Sequence, residues 1–124
     1  MTAAKPTLLV VEDEALLRLD LVDQAQRAGF AVLEAGSAPE ALAILEARHD
    51  IRVVFTDIRM PGDFDGLHLA RMVRDRWPPT VIVICSANEP PPPKELPPNA
   101  LFVAKPLNGN HLAELLSSIM SELA

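Results

Sequence analysis

The chain alternates short, unbroken apolar runs with longer stretches in which apolar residues recur every three or four positions. Thr7 to Val11 is the first short run. An unbroken run of this length predicts a strand covered on both faces, since a half-exposed strand would alternate apolar and polar residues. From Glu14 to Ala28 the period becomes helical. Ala15, Leu17, Leu19, Leu21, Val22, Ala25 and Ala28 are expected on one broad stripe, with Asp20, Asp23, Gln24 and Arg27 opposite. Leu16 projects on the polar side of that wheel, as an exposed leucine or a partner contact. Gly29, free to take positive φ, is expected to stop the helix. Ala31 to Ala35 predicts a second strand. Ser37-Ala38-Pro39-Glu40 has capping-box spacing with proline in the first turn, and predicts a helix to about Arg48. Ile51 to Thr56 predicts a third strand. Asp65 is placed to cap a helix from Gly66 to about Arg76, which Trp77-Pro78-Pro79 ends. Val81 to Cys85 and Leu101 to Ala104 predict two more strands. Asn108 is placed to cap a last helix carrying Leu112, Leu115, Leu116, Ile119 and Leu123 on one side.

Strands alternating with helices predict an α/β fold, with right-handed crossovers and a parallel sheet covered on both faces. In such sheets ligands bind beyond the carboxyl ends of the strands. Three apolar runs here finish on charged residues: Val11 leads into Glu12-Asp13-Glu14, Thr56 into Asp57, and Ala104 into Lys105-Pro106. The helix due between the fourth and fifth strands has no counterpart in the pattern. Residues 88–99 hold six of the chain's twelve prolines, four of them consecutive, so a helix cannot continue through them and an extended polyproline-like segment is expected.

Composition narrows the function. The 124 residues suit one domain, spanning 1–124. The net charge of −6 and the lack of a Lys/Arg cluster along the sequence argue against a nucleic-acid face. Cys85 is the sole cysteine and lies in an apolar run, so it reads as a small buried hydrophobe rather than part of a disulfide or thiolate metal site. No stretch approaches a membrane span and the N-terminus lacks a signal-peptide core, which predicts a cytoplasmic protein.

Glu12, Asp13 and Asp57 would bring three carboxylates to one crevice, where mutual repulsion calls for a cation. A hard oxygen site with few protein ligands suits Mg²⁺, which keeps several waters and shares them with a phosphate. Lys105 can pair with a carboxylate or phosphoryl oxygen, and Ser86 offers a hydroxyl at the same edge. This set suits phosphoryl transfer, which depends on positioning and charge neutralisation, with Asp57 as the nucleophile.

Val10-Val11-Glu12-Asp13-Glu14, Asp57-Ile58-Arg59-Met60-Pro61, Cys85-Ser86-Ala87 and Ala104-Lys105-Pro106 together resemble the receiver domain of bacterial two-component response regulators, over nearly the whole chain. The resemblance implies a flavodoxin-like, three-layer sandwich with a parallel sheet in the order 2-1-3-4-5, here with the fourth helix short or absent. It implies Asp57 as acceptor of a phosphoryl group from a histidine kinase or histidine phosphotransfer protein. Glu12, Asp13, Asp57 and the backbone carbonyl of Arg59 would hold Mg²⁺, and Ser86 and Lys105 would contact the phosphoryl group. Phe102 matches the family's switch aromatic, moving with Ser86, and the Lys105–Pro106 peptide bond is a cis candidate.

This sequence departs from the family pattern in three places. The loop Gly62-Asp63-Phe64-Asp65-Gly66 is one residue longer than the common form, Arg59 brings a cation beside the acceptor, and the prolines replace the helix that usually helps build the output face. With no output domain in the sequence, a single-domain receiver is expected to act by protein contact or as a phosphate relay, as a monomer or weak dimer, without nucleic acid or membrane. It would be a signalling phosphoacceptor rather than an enzyme, with at most slow self-dephosphorylation. The alternatives are a Mg²⁺-dependent phosphohydrolase with an aspartyl nucleophile and a non-phosphorylated interaction module. The hydrolase usually carries a second acid two residues after the nucleophile, where this chain has Arg59. A flavin domain is disfavoured because the acidic first loop would repel a phosphate.

Overall fold

A computed structural model describes residues 5–58, 65–86, 100–105 and 109–123. The elements follow in the order β1 (Thr7–Val11), α1 (Ala15–Arg27), β2 (Ala31–Ala35), α2 (Ala38–Ala47), β3 (Ile51–Asp57), α3 (Gly66–Arg76), β4 (Val81–Ser86), β5 (Leu101–Ala104) and α4 (Gly109–Leu123). β1, β2 and β5 match the apolar runs residue for residue. β3 and β4 each run one residue further, taking in Asp57 and Ser86. The strands form one parallel sheet in the order β2-β1-β3-β4-β5, as the resemblance implied. The segment in which the fourth helix of that pattern would fall lies outside the described residues.

Alternation along the central strands sorts the core into two layers. Leu9, Val11, Val54, Ile82 and Ile84 face α2 and α3, packing against Ala41, Leu45, Leu69 and Val73. Leu8, Val10, Val53, Phe55, Val83 and Cys85 face α1 and α4, packing against Leu21, Val22, Ala25, Leu112, Leu116 and Ile119. Both faces of the central strands are covered, which explains the unbroken apolar runs. The Cys85 thiol is buried and its pKa is pushed up to about 12 by desolvation, so it stays protonated.

Local signals set the helix ends. Asp65 caps α3 by accepting hydrogen bonds from the Leu67 and His68 amides. Ser37 Oγ accepts from the Glu40 amide at 3.2 Å, but the Glu40 carboxylate reaches back to the Gly36 amide instead of that of Ser37, so the expected capping box closes one residue early. Gly29 takes φ 104° just after α1. The broad stripe expected on α1 is narrower in the structure. Leu21, Val22 and Ala25 are buried, whereas Ala15 is exposed and Leu19 is 65% exposed. Leu19 lies two residues before Leu21, and so on nearly the opposite side of a helix turning ~100° per residue. Leu16, read as exposed, is 79% exposed. Among the described residues, no helix is long and apolar enough to cross a membrane.

Candidate functional site at the carboxyl ends of the strands

The parallel sheet carries the first residue after β1, the last residue of β3 and the first residue after β5 to a common edge. Glu12 follows β1, Asp57 ends β3 and Lys105 follows β5, so residues 48 and 93 positions apart in sequence come into contact. Lys105 Nζ donates to Asp57 Oδ2 at 2.5 Å and to Glu12 Oε2 at 3.4 Å. The Glu12 and Asp57 side chains are nearly buried, at 3% and 11% exposure, while Asp13 stands exposed at the rim. A carboxylate oxygen from each of Glu12, Asp13 and Asp57 lies within 4.8 Å of the others.

Main-chain contacts from neighbouring elements hold these groups in place. The Glu12 amide donates to Ala35 O at 3.0 Å, and Glu12 Oε1 accepts from the Glu14 amide at 3.2 Å. Beyond β3, the Ile58 amide donates to Cys85 O, and the Ile58 carbonyl accepts from Gly66 at the start of α3, both at 3.0 Å. The Lys105 amide donates to Ser86 O at 2.9 Å, locking the end of β5 to the end of β4. Ser86 is 3% exposed and sits one register step beyond the Asp57–Cys85 pair. Phe102 is paired with Ile84, is half-buried, and packs against the α2/α3 layer. Arg59, Pro106, residues 62–64 of the long loop and Asn108 lie outside the described residues.

Two structural roles escaped the sequence reading. Arg18 on α1 donates from Nη1 to the Glu12 carbonyl at 2.8 Å and from Nε to Glu34 at 3.1 Å, bracing the β1–α1 loop against the end of β2. Gly66 lies so close to β3 that a Cβ there would stand 1.7 Å from the Asp57 carbonyl oxygen. A glycine just after a capping aspartate was the available signal, but it cannot reveal which backbone lies opposite.

The electrostatics follow from crowding. Burial pushes the Glu12 carboxyl above its usual range, helped by the Asp57 charge and opposed by the Glu14 amide and Lys105. Burial works against the Lys105 ammonium, but its hydrogen bond to Asp57 and the two carboxylate charges outweigh that and raise its pKa. Three carboxylates against one ammonium leave two negative charges when all are ionised. A divalent cation would neutralise them, and the donors are all hard oxygens. The residues present fit such an ion.

A sequence profile of the response regulator receiver domain matches residues 8–117. The positive alginate biosynthesis regulatory protein of Pseudomonas aeruginosa is 35% identical over 114 residues, covering 88% of this chain and 45% of that protein. The sensor kinase CckA of Brucella abortus is 32% identical over 120 residues, covering 94% of this chain and 13% of that protein. The chain spans less than half the length of the curated relatives it matches. Among solved structures, a response regulator receiver protein from Sinorhizobium medicae aligns with a TM-score of 0.84 at 29% identity, covering 94% of this chain and 95% of that one. The receiver domain of the hybrid histidine kinase CckA aligns at 0.76 and 29%, covering 92% and 98%. With the sheet order and the acid-rich strand edge already pointing the same way, the chain belongs to the response regulator receiver domain family.

Proposed function

We propose that residues 1–124 form one receiver domain that accepts a phosphoryl group on Asp57 from a histidine kinase or histidine phosphotransfer protein, and thereby changes its protein contacts or passes the group on. The observation that carries this reading is the contact of Lys105 with both Asp57 and Glu12 at the carboxyl edge of the sheet. It is an arrangement in which charge is preorganised around one nucleophilic carboxylate.

In this reading Glu12, Asp13, Asp57 and the carbonyl of Arg59 hold Mg²⁺, which when bound supplies positive charge to phosphoryl oxygens. Lys105 fixes the orientation of the Asp57 carboxylate through Oδ2 and stays cationic at neutral pH. A carboxylate oxygen of Asp57 forms a bond to phosphorus as the P–N bond of the donor's phosphohistidine breaks, and the imidazole takes up a proton. Lys105 and Ser86 then contact the new phosphoryl group, and Phe102 follows Ser86 as the switch. Leu16 and Leu19 are adjacent on the outer face of α1, whose first turn adjoins the site, and offer apolar contact to a docking donor. The domain works in the cytoplasm as a signalling acceptor with slow self-dephosphorylation, not as a turnover hydrolase.

Incubation with Mg²⁺ and acetyl phosphate, followed by intact mass measurement, tests this. Wild type is expected to gain one acid-stable, base-labile phosphoryl adduct and Asp57→Asn none. An adduct of equal yield in Asp57→Asn, or phosphate release without an adduct, would overturn it.

A further inference from the structure

The opposite pole of the sheet carries a second feature. Where α2 ends, β3 begins and α3 ends, a half-open cavity of about 280 Å³ is lined by Arg48, Arg52 and Arg76, with His49 and Trp77 beside them and no acidic residue among the described residues that line it. This is a concentration of positive charge in a chain of net charge −6. Leu45 and Ile51 form an apolar floor of buried side chains. Cations near helix C-termini compensate the helix dipole, which accounts for Arg48 and Arg76. Each also has one acidic neighbour at the rim: Arg48 pairs with Asp50, and Arg76 lies 3.6 Å from Glu46 while its guanidinium sits 4.6 Å over the Trp77 ring. Arg52 fits neither explanation. It is exposed at the second position of β3, and its side chain has no hydrogen bond or ion pair among the described residues.

We propose that this cavity is a docking site for an acidic peptide segment of a partner protein, one carrying a large apolar side chain between carboxylates. The apolar side chain would seat on Leu45, Ile51 and the Trp77 edge. The flanking carboxylates would pair with Arg52 and with the guanidinium donors that Asp50 and Glu46 leave over, since each guanidinium has five. A half-open cavity of this size suits one side chain of a peptide better than a cofactor, whose pocket would bury most of the ligand. Nucleic acid is disfavoured because three arginines on a net-acidic domain make too small a cation field for a phosphate backbone. Ile51 and Asp57 are six strand steps apart, or roughly 20 Å, so the docked segment would not touch the phosphoacceptor edge. The site would therefore act as a standing tether whose affinity does not depend on Asp57.

Trp77 is the only tryptophan in the chain and provides a direct signal. The test titrates the intact protein with acetylated pentapeptide amides in which Leu, Ile or Phe is flanked by Asp or Glu, and with a single-stranded oligonucleotide. At least one peptide is expected to change Trp77 emission saturably at concentrations below about 1 mM. Arg52→Glu should weaken it at least about tenfold and Arg52→Gln less, with melting temperatures unchanged. Asp57→Asn should bind as wild type does, so a failure of the phosphoacceptor reading leaves this test intact. No saturable response to any peptide, equal binding by Arg52→Glu, or a response to the oligonucleotide alone would overturn the proposal.

Discussion

Gly66→Ala sets two effects of opposite sign against each other. On helix propensity alone, alanine in place of glycine at the start of α3 gains up to about 1 kcal/mol. The local geometry opposes this. An alanine Cβ would stand 1.7 Å from the Asp57 carbonyl oxygen and 2.8 Å from Thr56 Oγ1, whereas real Cβ atoms essentially never come closer than 3.0 Å. The obstacle cannot swing aside like a side-chain end, because it is main chain at the end of a central strand. Thr56 Oγ1 donates to that same carbonyl at 2.9 Å, and the next amide, Ile58, is bonded to Cys85. The start of α3 must therefore move out by more than an ångström. That strains the Gly66–Ile58 hydrogen bond, worth about 1 kcal/mol, and the Asp65 cap, worth about another. Overpacking adds roughly 1–3 kcal/mol. We predict a net destabilisation of about 2–4 kcal/mol, or a melting temperature lower by on the order of 10 °C for a domain of this size. Denaturant unfolding and thermal melting would measure it, with acetyl phosphate labelling as a second readout expected to slow because Asp57 shares the displaced backbone. Gly36→Ala is the control. Its Cβ would meet only side-chain ends, Arg18 Nη1 at 3.4 Å and Glu40 Oε2 at 3.7 Å, and its stability should lie within about 0.5 kcal/mol of wild type. A Gly66→Ala protein as stable as wild type would refute the steric reasoning.

Two further predictions concern the site itself. Arg18→Ala should cost about 1–2 kcal/mol and weaken Mg²⁺ binding several-fold by calorimetry, and Arg18→Lys should restore little because a lysine cannot donate to Glu12 O and Glu34 in one fork. Unchanged Mg²⁺ affinity in Arg18→Ala would show that the brace does not position the acidic loop. For Glu12, the folded pKa lies above the unfolded 4.5, so its contribution to stability is full below that value and is lost as pH rises through the folded one. In EDTA, wild type should therefore lose stability relative to Glu12→Gln as pH rises across that window. Parallel unfolding curves at every pH would contradict this.

The apolar runs and the punctuation between them determined the architecture. Thr7–Val11, Ala31–Ala35 and Leu101–Ala104 could be read to the residue. Gly29, Asp65 and Ser37 marked helix ends because their local chemistry needs no distant partner. That Glu12, Asp57 and Lys105 would meet was legible because a parallel sheet brings its strand ends to one edge whatever the intervening sequence. What lay beyond the reach of the sequence depends on which surfaces meet. The seven apolar positions of α1 did not say that Leu19 would face solvent, since a helix buries only the arc its neighbours cover. Nothing around Gly66 announced that the Asp57 carbonyl would stand where a side chain should be. Arg18 and Glu12 are six residues apart, yet their bond requires the helix and the strand end to be already docked. Arg48, Arg52 and Arg76 look like scattered surface charges until α2, β3 and α3 converge to line one cavity. Local sequence sets backbone form and periodicity, and only long-range packing decides which side chains face one another.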